Sequence, residues 1–221
     1  MLKNADRVIA GFSILGDSYS TFHGWIPDGN SCYYPNPENV EDVLQVEQTW
    51  WHLLMQRRGW KLLRNESYSG ATVCTHTREG QPPESSFTVR AHYLKKYVDE
   101  NGAGAELIFL FGCTNDSWLD REVGRVVFEN RTETDLRCVL PAYCETVEVL
   151  QKENPGAKVV CIINTDLKPE IVEGILAAAA HYGAVAVELA DIDKQNGHPS
   201  ALGMRQIAEQ VEAAVFGGKN E

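Results

Sequence analysis

The stretch that decides the fold is VIAGFSILGDSYSTF, residues 8–22. Its first part, 8–16, is a largely apolar run that ends abruptly at Gly16-Asp17-Ser18. A short apolar run bounded by glycine is typical of a buried strand in a parallel sheet. Because open α/β sheets bind ligands at the carboxyl ends of such strands, the sequence predicts a strand over 8–16 with the Ser18 hydroxyl at the binding edge.

Gly-Asp-Ser is also common turn chemistry, since Asp and Ser both cap helices, so the tripeptide alone does not identify a nucleophile. A second signal lies near the other end of the chain, at Gly197-His198-Pro199-Ser200, where a helical pattern begins. A serine nucleophile needs a neighbouring base, and a histidine commonly supplies it. Ser18 and His198 are therefore a candidate catalytic pair.

Strand and helix signals alternate along the rest of the chain. Further strands are predicted at 60–66, 106–112, 158–164 and 184–189. Helical spacing of apolar residues predicts helices over 46–58, 86–100, 134–153, 168–182 and 200–216. This alternation predicts an α/β fold with a doubly wound, five-stranded parallel sheet. The stretch 22–45, which is rich in Gly and Pro, is predicted to be a long irregular loop.

Composition narrows the classes of function. A chain of 221 residues with 43% hydrophobic content fits one α/β domain over 1–221. With 20 basic and 31 acidic residues the net charge is 20 − 31 = −11, which disfavours nucleic acids and anionic membranes as partners. The apolar runs are too short to span a bilayer, and the start shows no signal-peptide pattern. We therefore expect a soluble, cytoplasmic protein that acts on a small molecule; no oligomeric state is predicted.

Metal and disulfide chemistry have little support in the sequence. The six cysteines show neither a CxxC pair nor zinc-ligand spacing, so free and mostly buried thiols are expected. The acidic segment 191–193 suggests a cation site only weakly, because two carboxylates alone are common at surfaces. No metal and no cofactor are expected.

Two more polar turns follow predicted strands. Gly70 lies in the turn after 60–66, and Asn115 lies in the turn after 106–112. In a parallel sheet both turns meet at the edge that carries Ser18. A backbone N–H at Gly70 and a side-chain amide at Asn115 are suitable donors for negative charge that develops in a reaction.

These blocks together resemble a known family. GDSYS at 16–20, Gly70, GCTND at 112–116 and His198-Pro199 match, in order, the four blocks of the SGNH hydrolases, also called GDSL esterases and lipases. The resemblance implies a three-layer α/β/α, flavodoxin-like fold. It also implies that Ser18 attacks an ester carbonyl, that His198 transfers the proton, and that the N–H groups of Ser18 and Gly70 and the Asn115 amide hold the oxyanion.

The chain departs from this family at one position. The family usually has Asp three residues before the histidine, and this sequence has Gln195 there. Asp193 is the first candidate to orient His198, Asp191 is the second, and a backbone carbonyl is the third. Asp17 and Asp116 adjoin the site and are interpreted as supports, Asp17 as a helix cap and Asp116 as a side chain that holds its loop.

Four aromatic residues are candidate members of a substrate pocket, namely Trp25, Tyr33, Tyr34 and Trp118. The alternative is that rings of the long loop are buried to attach the loop to the body of the protein, and both interpretations have equal weight.

The sequence thus predicts a carboxylic-ester hydrolase for a small acyl group, with an acetylated carbohydrate as one candidate substrate. The absence of a long apolar lid disfavours a lipase. The alternative is a catalytically weak binding protein on the same fold, because the acid before His198 is missing and a fold does not fix a function. A nucleotide-binding flavodoxin-like protein is disfavoured by the acidic charge and the lack of a Gly-rich phosphate loop.

Overall fold

A computed structural model describes residues 11–39, 41–94 and 102–217. It contains one sheet of five parallel strands in the order β2-β1-β3-β4-β5. The strands are β1 Gly11–Gly16, β2 Lys61–Asn65, β3 Leu107–Phe111, β4 Lys158–Ile163 and β5 Val185–Glu188. The predicted strands are confirmed with ends shifted by one residue or so; residues 8–10 of the first lie outside the described part.

The centre of the sheet is formed by β1 and β3. Both are buried along their whole length, as expected for strands covered on two faces by helices. The chain runs from β1 outward to β2 and then returns to β3 on the other side of β1, so the order of strands reverses there. Ligands of open α/β sheets bind at such a reversal, and Gly16 at the end of β1 pairs with Phe111 at the end of β3.

Helices cover both faces of the sheet. They are α1 Trp50–Arg58, α2 Phe87–Arg90, α3 Thr114–Trp118, α4 Val139–Glu153, α5 Pro169–Tyr182 and α6 Ala201–Phe216. One apolar core lies between the sheet and α2, α4 and α5, and the other lies between the sheet and α1 and α6. The three-layer α/β/α prediction is confirmed.

Three helices differ from their predicted bounds. The helix predicted over 46–58 begins at Trp50, after the short 3-10 turn Val46–Gln48. The helix predicted from 134 begins at Val139, after the short 3-10 turn Asp135–Arg137. Pro141 explains the late start, because proline lacks an N–H and is tolerated only in the first turn of a helix. The helix predicted over 86–100 is divided into α2 and the 3-10 helix Ala91–Leu94, and its remaining residues lie outside the described part.

All six cysteines are free, and four of them are buried, as predicted. Within the described ranges, no helix is both long and apolar enough to cross a membrane, and no three His, Cys, Asp or Glu side chains are grouped as a metal site would require.

Candidate active site

The end of β1 places Ser18 at the edge of the sheet. The chain leaves Gly16 and enters the 3-10 turn Ser18–Ser20, and Asp17 caps this turn by accepting a hydrogen bond from the backbone N–H of Tyr19 at 3.1 Å. A side chain at Gly16 would overlap its neighbours, so the tight exit from the strand requires glycine. The capping role predicted for Asp17 is confirmed.

A buried cation lies beneath this turn. Arg90 donates hydrogen bonds to the backbone carbonyls of Ser85, Glu66 and Gly16, and its guanidinium is completely buried. Burial lowers its pKa to about 10, which still leaves it charged at neutral pH. Burial also raises the pKa of Asp17 to about 7, although the Tyr19 N–H and the Arg90 charge both favour its ionised form.

The turns after β2 and β3 bring hydrogen-bond donors toward Ser18. Gly70 has φ +84°, a left-handed conformation that glycine adopts without strain. Asn115 is buried, and its Nδ2 donates one hydrogen bond to the carbonyl of Ala71 at 3.0 Å. Because an amide nitrogen has two N–H groups, one remains for a ligand. Within the described residues, the backbone N–H groups of Ser18 and Gly70 have no acceptor either.

Asp116 fixes the loop that carries Gly70. Its buried carboxylate accepts hydrogen bonds from the backbone N–H groups of Val73, at 2.8 Å, and Cys74, at 3.2 Å. Burial raises the pKa of Asp116, and these two N–H groups counteract the shift by stabilising the carboxylate. Asp116 therefore supports the site by holding the Gly70 loop, whereas the prediction was that it holds its own loop.

His198 lies on a hairpin that the strand and helix patterns did not predict. Strands β6 Lys194–Gln195 and β7 His198–Pro199 pair antiparallel. Asn196 and Gly197 form the two-residue turn with φ +47° and +79°. Asn-Gly between two strands is the sequence signal of such a turn, and it was available in the sequence. The hairpin brings His198 Nε2 to 2.9 Å from Ser18 Oγ.

The structure brings a backbone carbonyl, not a carboxylate, to the other nitrogen of the imidazole. His198 Nδ1 lies 3.3 Å from the carbonyl oxygen of Asn196. Asp193 accepts a hydrogen bond from the Ser200 hydroxyl instead, because the hairpin register places Asp193 opposite Ser200. Asp191 is exposed on the surface. Of the three predicted candidates, the geometry therefore matches the third, and Asp193 is a support for the start of α6.

Aromatic rings surround the imidazole of His198. The Tyr33 ring stacks on it with centroids 3.6 Å apart and an angle of 8° between the planes. The ring centroids of Tyr19 and Trp118 lie 5.3 and 5.7 Å from that of His198. The Tyr19 hydroxyl donates a hydrogen bond to the carbonyl of Gly197. Burial, together with the charge of Lys194, lowers the pKa of His198 to about 4. At neutral pH the imidazole is uncharged, so Nδ1–H can donate to the Asn196 carbonyl while Nε2 accepts the proton of Ser18.

The sequence patterns did not indicate a role for Lys194 at the site. Its Nζ donates to Thr165 Oγ1 at 2.6 Å and pairs with Asp166 at 3.0 Å, which attaches the hairpin to the loop after β4. The same Nζ lies 5.7 Å from the centre of the Tyr19 ring. A lone lysine has no distinctive sequence pattern, so only the folded structure identifies this contact.

Ser18 and His198 line a cavity of about 300 Å³. Several polar side chains line it; they are Ser31, Ser69, Arg78, Glu79, Gln81 and Asn115. Two of the four predicted aromatic residues, Tyr33 and Trp118, also line it, and Trp118 is 51% exposed. A cavity of this size and lining fits a small polar ligand.

The structure does not place the other two aromatic residues in this cavity. Trp25 packs on Trp51 and His52, with ring centroids 5.5 and 5.7 Å away. Tyr34 is completely buried, and its hydroxyl donates to the carbonyl of Pro199 at 2.7 Å. Both rings attach the long loop to the body of the protein, which was the alternative interpretation.

Tyr33 also lines a second cavity, of about 430 Å³. The lining of this cavity mixes polar and apolar groups and comprises Phe22, His23, Cys32, Tyr33, Tyr34, Pro35 and Leu44. Tyr33 is the residue that both cavities share.

The fold and this site together define a class of enzyme, the serine ester hydrolases of α/β/α architecture, in which a Ser–His pair and three N–H donors meet at the edge of a parallel sheet. Comparison with known proteins agrees. The family model of the GDSL-like lipases/acylhydrolases matches residues 10–215. The chain belongs to this family, and it is a serine ester hydrolase.

Two solved structures share more than a third of the sequence. A protein from Bacteroides ovatus ATCC 8483, named as a GDSL-like lipase, is 37% identical with a TM-score of 0.84; the match covers 93% of this chain and 97% of that one. A protein of the same name from Bacteroides uniformis ATCC 8492 is 38% identical with a TM-score of 0.85, over 94% and 95% of the two chains.

A more distant structure shares the fold alone. It is a family two carbohydrate esterase from Clostridium thermocellum in complex with cellohexaose, 14% identical with a TM-score of 0.62, over 94% of this chain and 64% of that one. No curated protein matches the chain.

Proposed function

We propose that the protein hydrolyses esters of small acyl groups by a Ser–His mechanism, and that its substrate is an acetylated carbohydrate. The observation that carries the mechanism is the 2.9 Å distance from His198 Nε2 to Ser18 Oγ, in a cavity that Gly70 and Asn115 also line. A nucleophile and its base must lie within about 2.6–3.2 Å of each other for direct proton transfer.

The reaction begins when His198 Nε2 takes the proton of Ser18 as Oγ attacks the ester carbonyl. The oxyanion of the tetrahedral intermediate accepts hydrogen bonds from the backbone N–H groups of Ser18 and Gly70 and from the free N–H of Asn115. His198 then gives its proton to the leaving alcohol, and water hydrolyses the acyl-enzyme by the same steps in reverse. The carbonyl of Asn196 orients the imidazole through Nδ1 throughout.

Three observations favour a sugar ester with a short acyl group. The cavity is lined by polar groups, including Arg78, Glu79 and Gln81, which suit a hydroxylated ligand. Trp118 presents an exposed ring at its entrance, and the flat apolar face of such a ring packs well against a sugar. The esterase from Clostridium thermocellum, which shares the fold, acts on carbohydrate by its name. The alternative of an inactive binding protein is disfavoured because Nε2 of His198 faces Ser18.

The test is hydrolysis of p-nitrophenyl acetate, p-nitrophenyl butyrate and an acetylated xylo-oligosaccharide by the wild type and by Ser18→Ala, with Ser117→Ala as the control serine. We expect Ser18→Ala to lose activity by a factor of about 10⁴ or more and Ser117→Ala to keep it. We also expect the sugar ester to have the highest kcat/KM. Equal activity of wild type and Ser18→Ala would overturn the mechanism, and a preference for butyrate would overturn the proposed substrate.

A further inference from the structure

A buried carboxylate with no part in the mechanism above lies behind the histidine. Glu41 comes from the long loop before α1, and only 3% of its surface is exposed. Its Oε1 accepts a hydrogen bond from the Tyr33 hydroxyl at 2.8 Å. Its Oε2 is also buried and has no hydrogen-bond partner within the described residues. Burial of a carboxylate is unfavourable unless the charge is well compensated.

Glu41 is connected to both groups that fix the imidazole, the Tyr33 ring and the Asn196 carbonyl. Through Tyr33 it reaches the ring that stacks on His198 at 3.6 Å. Through Asn196 it reaches the residue whose carbonyl faces His198 Nδ1, because Asn196 Nδ2 donates to the carbonyl of Asn39 at 2.8 Å and lies 3.5 Å from Glu41 Oε1.

The charge of Glu41 matters most when His198 becomes protonated during the reaction. The face of an aromatic ring carries negative charge density and attracts a cation stacked on it. A phenol that donates its hydrogen bond to a carboxylate is polarised toward phenolate, so its ring becomes richer in electrons. The Glu41–Tyr33 pair therefore favours an imidazolium at His198 more than a neutral pair of the same shape does.

We propose that Glu41 is a positioning residue that takes over, through Tyr33 and Asn196, the part of the carboxylate that is missing at Gln195. It holds the two groups that orient His198, and its charge stabilises the imidazolium of the transition state. A glutamine at position 41 would accept the same hydrogen bond from Tyr33 at a lower cost of burial, and the carboxylate has an advantage only if its charge is used. This proposal rests on the Ser–His function proposed above.

The test compares Glu41→Gln, Tyr33→Phe and the double variant, with Glu38→Gln as the control for an exposed carboxylate on the same loop. We expect each single variant to lower kcat roughly tenfold with KM changed less than about twofold, the size of one lost charge-assisted hydrogen bond. The double variant should fall no further, because both changes break the same connection. Glu38→Gln should behave as the wild type.

A second readout follows the imidazole itself. Stacking on Tyr33 shields the Cε1–H proton of His198, whose NMR signal is assigned by its absence in His198→Ala. We expect this signal to move downfield in Tyr33→Phe, because the ring then loses the hydrogen bond that anchors it to Glu41, and to stay near its wild-type position in Glu41→Gln, where the hydrogen bond is kept and only the charge is lost. If thermal melting shows that Glu41→Gln is not folded, the kinetics and the NMR signal of Tyr33→Phe, which removes only one hydroxyl, test the role of Glu41 on their own.

Unchanged kcat in Tyr33→Phe, or additive losses in the double variant, would overturn the role of Glu41. Either result leaves the proposed function intact so long as Ser18→Ala is inactive. Activity that survives in Ser18→Ala would instead overturn the function on which this inference rests.

Discussion

The two halves of the site are built in opposite ways. The half with Ser18 and Asn115 stands at the ends of the central strands and is held by buried polar groups, among them Asp116 and the guanidinium of Arg90. The half with His198 lies on a short hairpin with a two-residue turn, outside the main sheet. It is held by stacked rings and by hydrogen bonds to backbone carbonyls.

Because of this difference, we expect changes in the Ser18 half to affect the stability of the fold and changes in the His198 half to affect mainly the rate of the reaction. Removal of one partner from a buried polar network leaves the other unsatisfied, so a change in the Ser18 half is expected to destabilise the fold. The hairpin adds little to the core, so a change there is expected to move the imidazole while the protein stays folded. The following predictions test this comparison, starting with the largest effect.

Asn115→Ala is expected to lower kcat by a factor of about 10² to 10³, because one of the three proposed oxyanion donors is lost. Steady-state kinetics on p-nitrophenyl acetate measures this. Asn30→Ala is the matched control, since the Asn30 amide also donates to a loop carbonyl, that of Ser67 at 3.0 Å, without lining the cavity. A loss of less than threefold in Asn115→Ala would remove this residue from the oxyanion site.

Asp116→Ala is expected to lower the free energy of unfolding by about 3 kcal/mol, because the N–H groups of Val73 and Cys74 lose a buried acceptor. Denaturant unfolding measures the change. Asp120→Asn is the control, as its carboxylate is exposed and pairs with Lys168 at the surface, and its stability should match the wild type. Equal stability of all three proteins would show that the Ser18 half does not depend on buried polar contacts.

Gly197→Ala is expected to lower kcat roughly tenfold while the free energy of unfolding falls by only about 1 kcal/mol, since the strain of a left-handed alanine is local. Gly197 has φ +79°, and a Cβ there would lie 3.3 Å from the Trp118 ring. Gly29→Ala carries the same strain at φ +90° in open space, so it should lose stability but not kcat. A large loss of stability in Gly197→Ala would contradict the independence of the hairpin.

The smallest effect concerns pH. As His198 must be uncharged to act as base, kcat/KM is expected to stay flat on acidification until the pH approaches its pKa of about 4. Lys194 disfavours the imidazolium, so Lys194→Met makes protonation easier, raises this pKa and moves the acid limb to higher pH. The shift should be smaller than about one unit, as for a single partly screened charge. Lys168→Met, a lysine paired elsewhere, should leave the limb in place; an unmoved limb in Lys194→Met would contradict the assigned charge effect.

The sequence was sufficient for the sheet and for the Ser18 half of the site because their signals are local. Apolar runs mark the strands, and Ser18, Gly70 and Asn115 each lie in the turn that follows a strand, so the parallel sheet brings them to the same edge. The sequence could not choose among the three groups predicted to orient His198, because the distance along the chain from Asp193 says nothing about a hairpin that turns its side chain toward Ser200.

Contacts between distant parts of the chain were also out of reach. Tyr33 and Glu41 meet the histidine hairpin across more than 150 residues, and no local pattern encodes such a pairing. The long loop was predicted to be irregular, and its aromatic rings were given a pocket role and a packing role with equal weight. Which of these rings face the cavity depends on how the loop packs against α1 and the hairpin.

The position of Tyr33 at both cavities has a consequence for substrate range. Its ring lines both the cavity of about 300 Å³ that contains Ser18 and a second cavity of about 430 Å³. Truncation of this side chain is expected to enlarge the space beside Ser18, and the same change removes the ring that stacks on the His198 imidazole. A variant at position 33 that accepts a longer acyl tail is therefore expected to turn over more slowly.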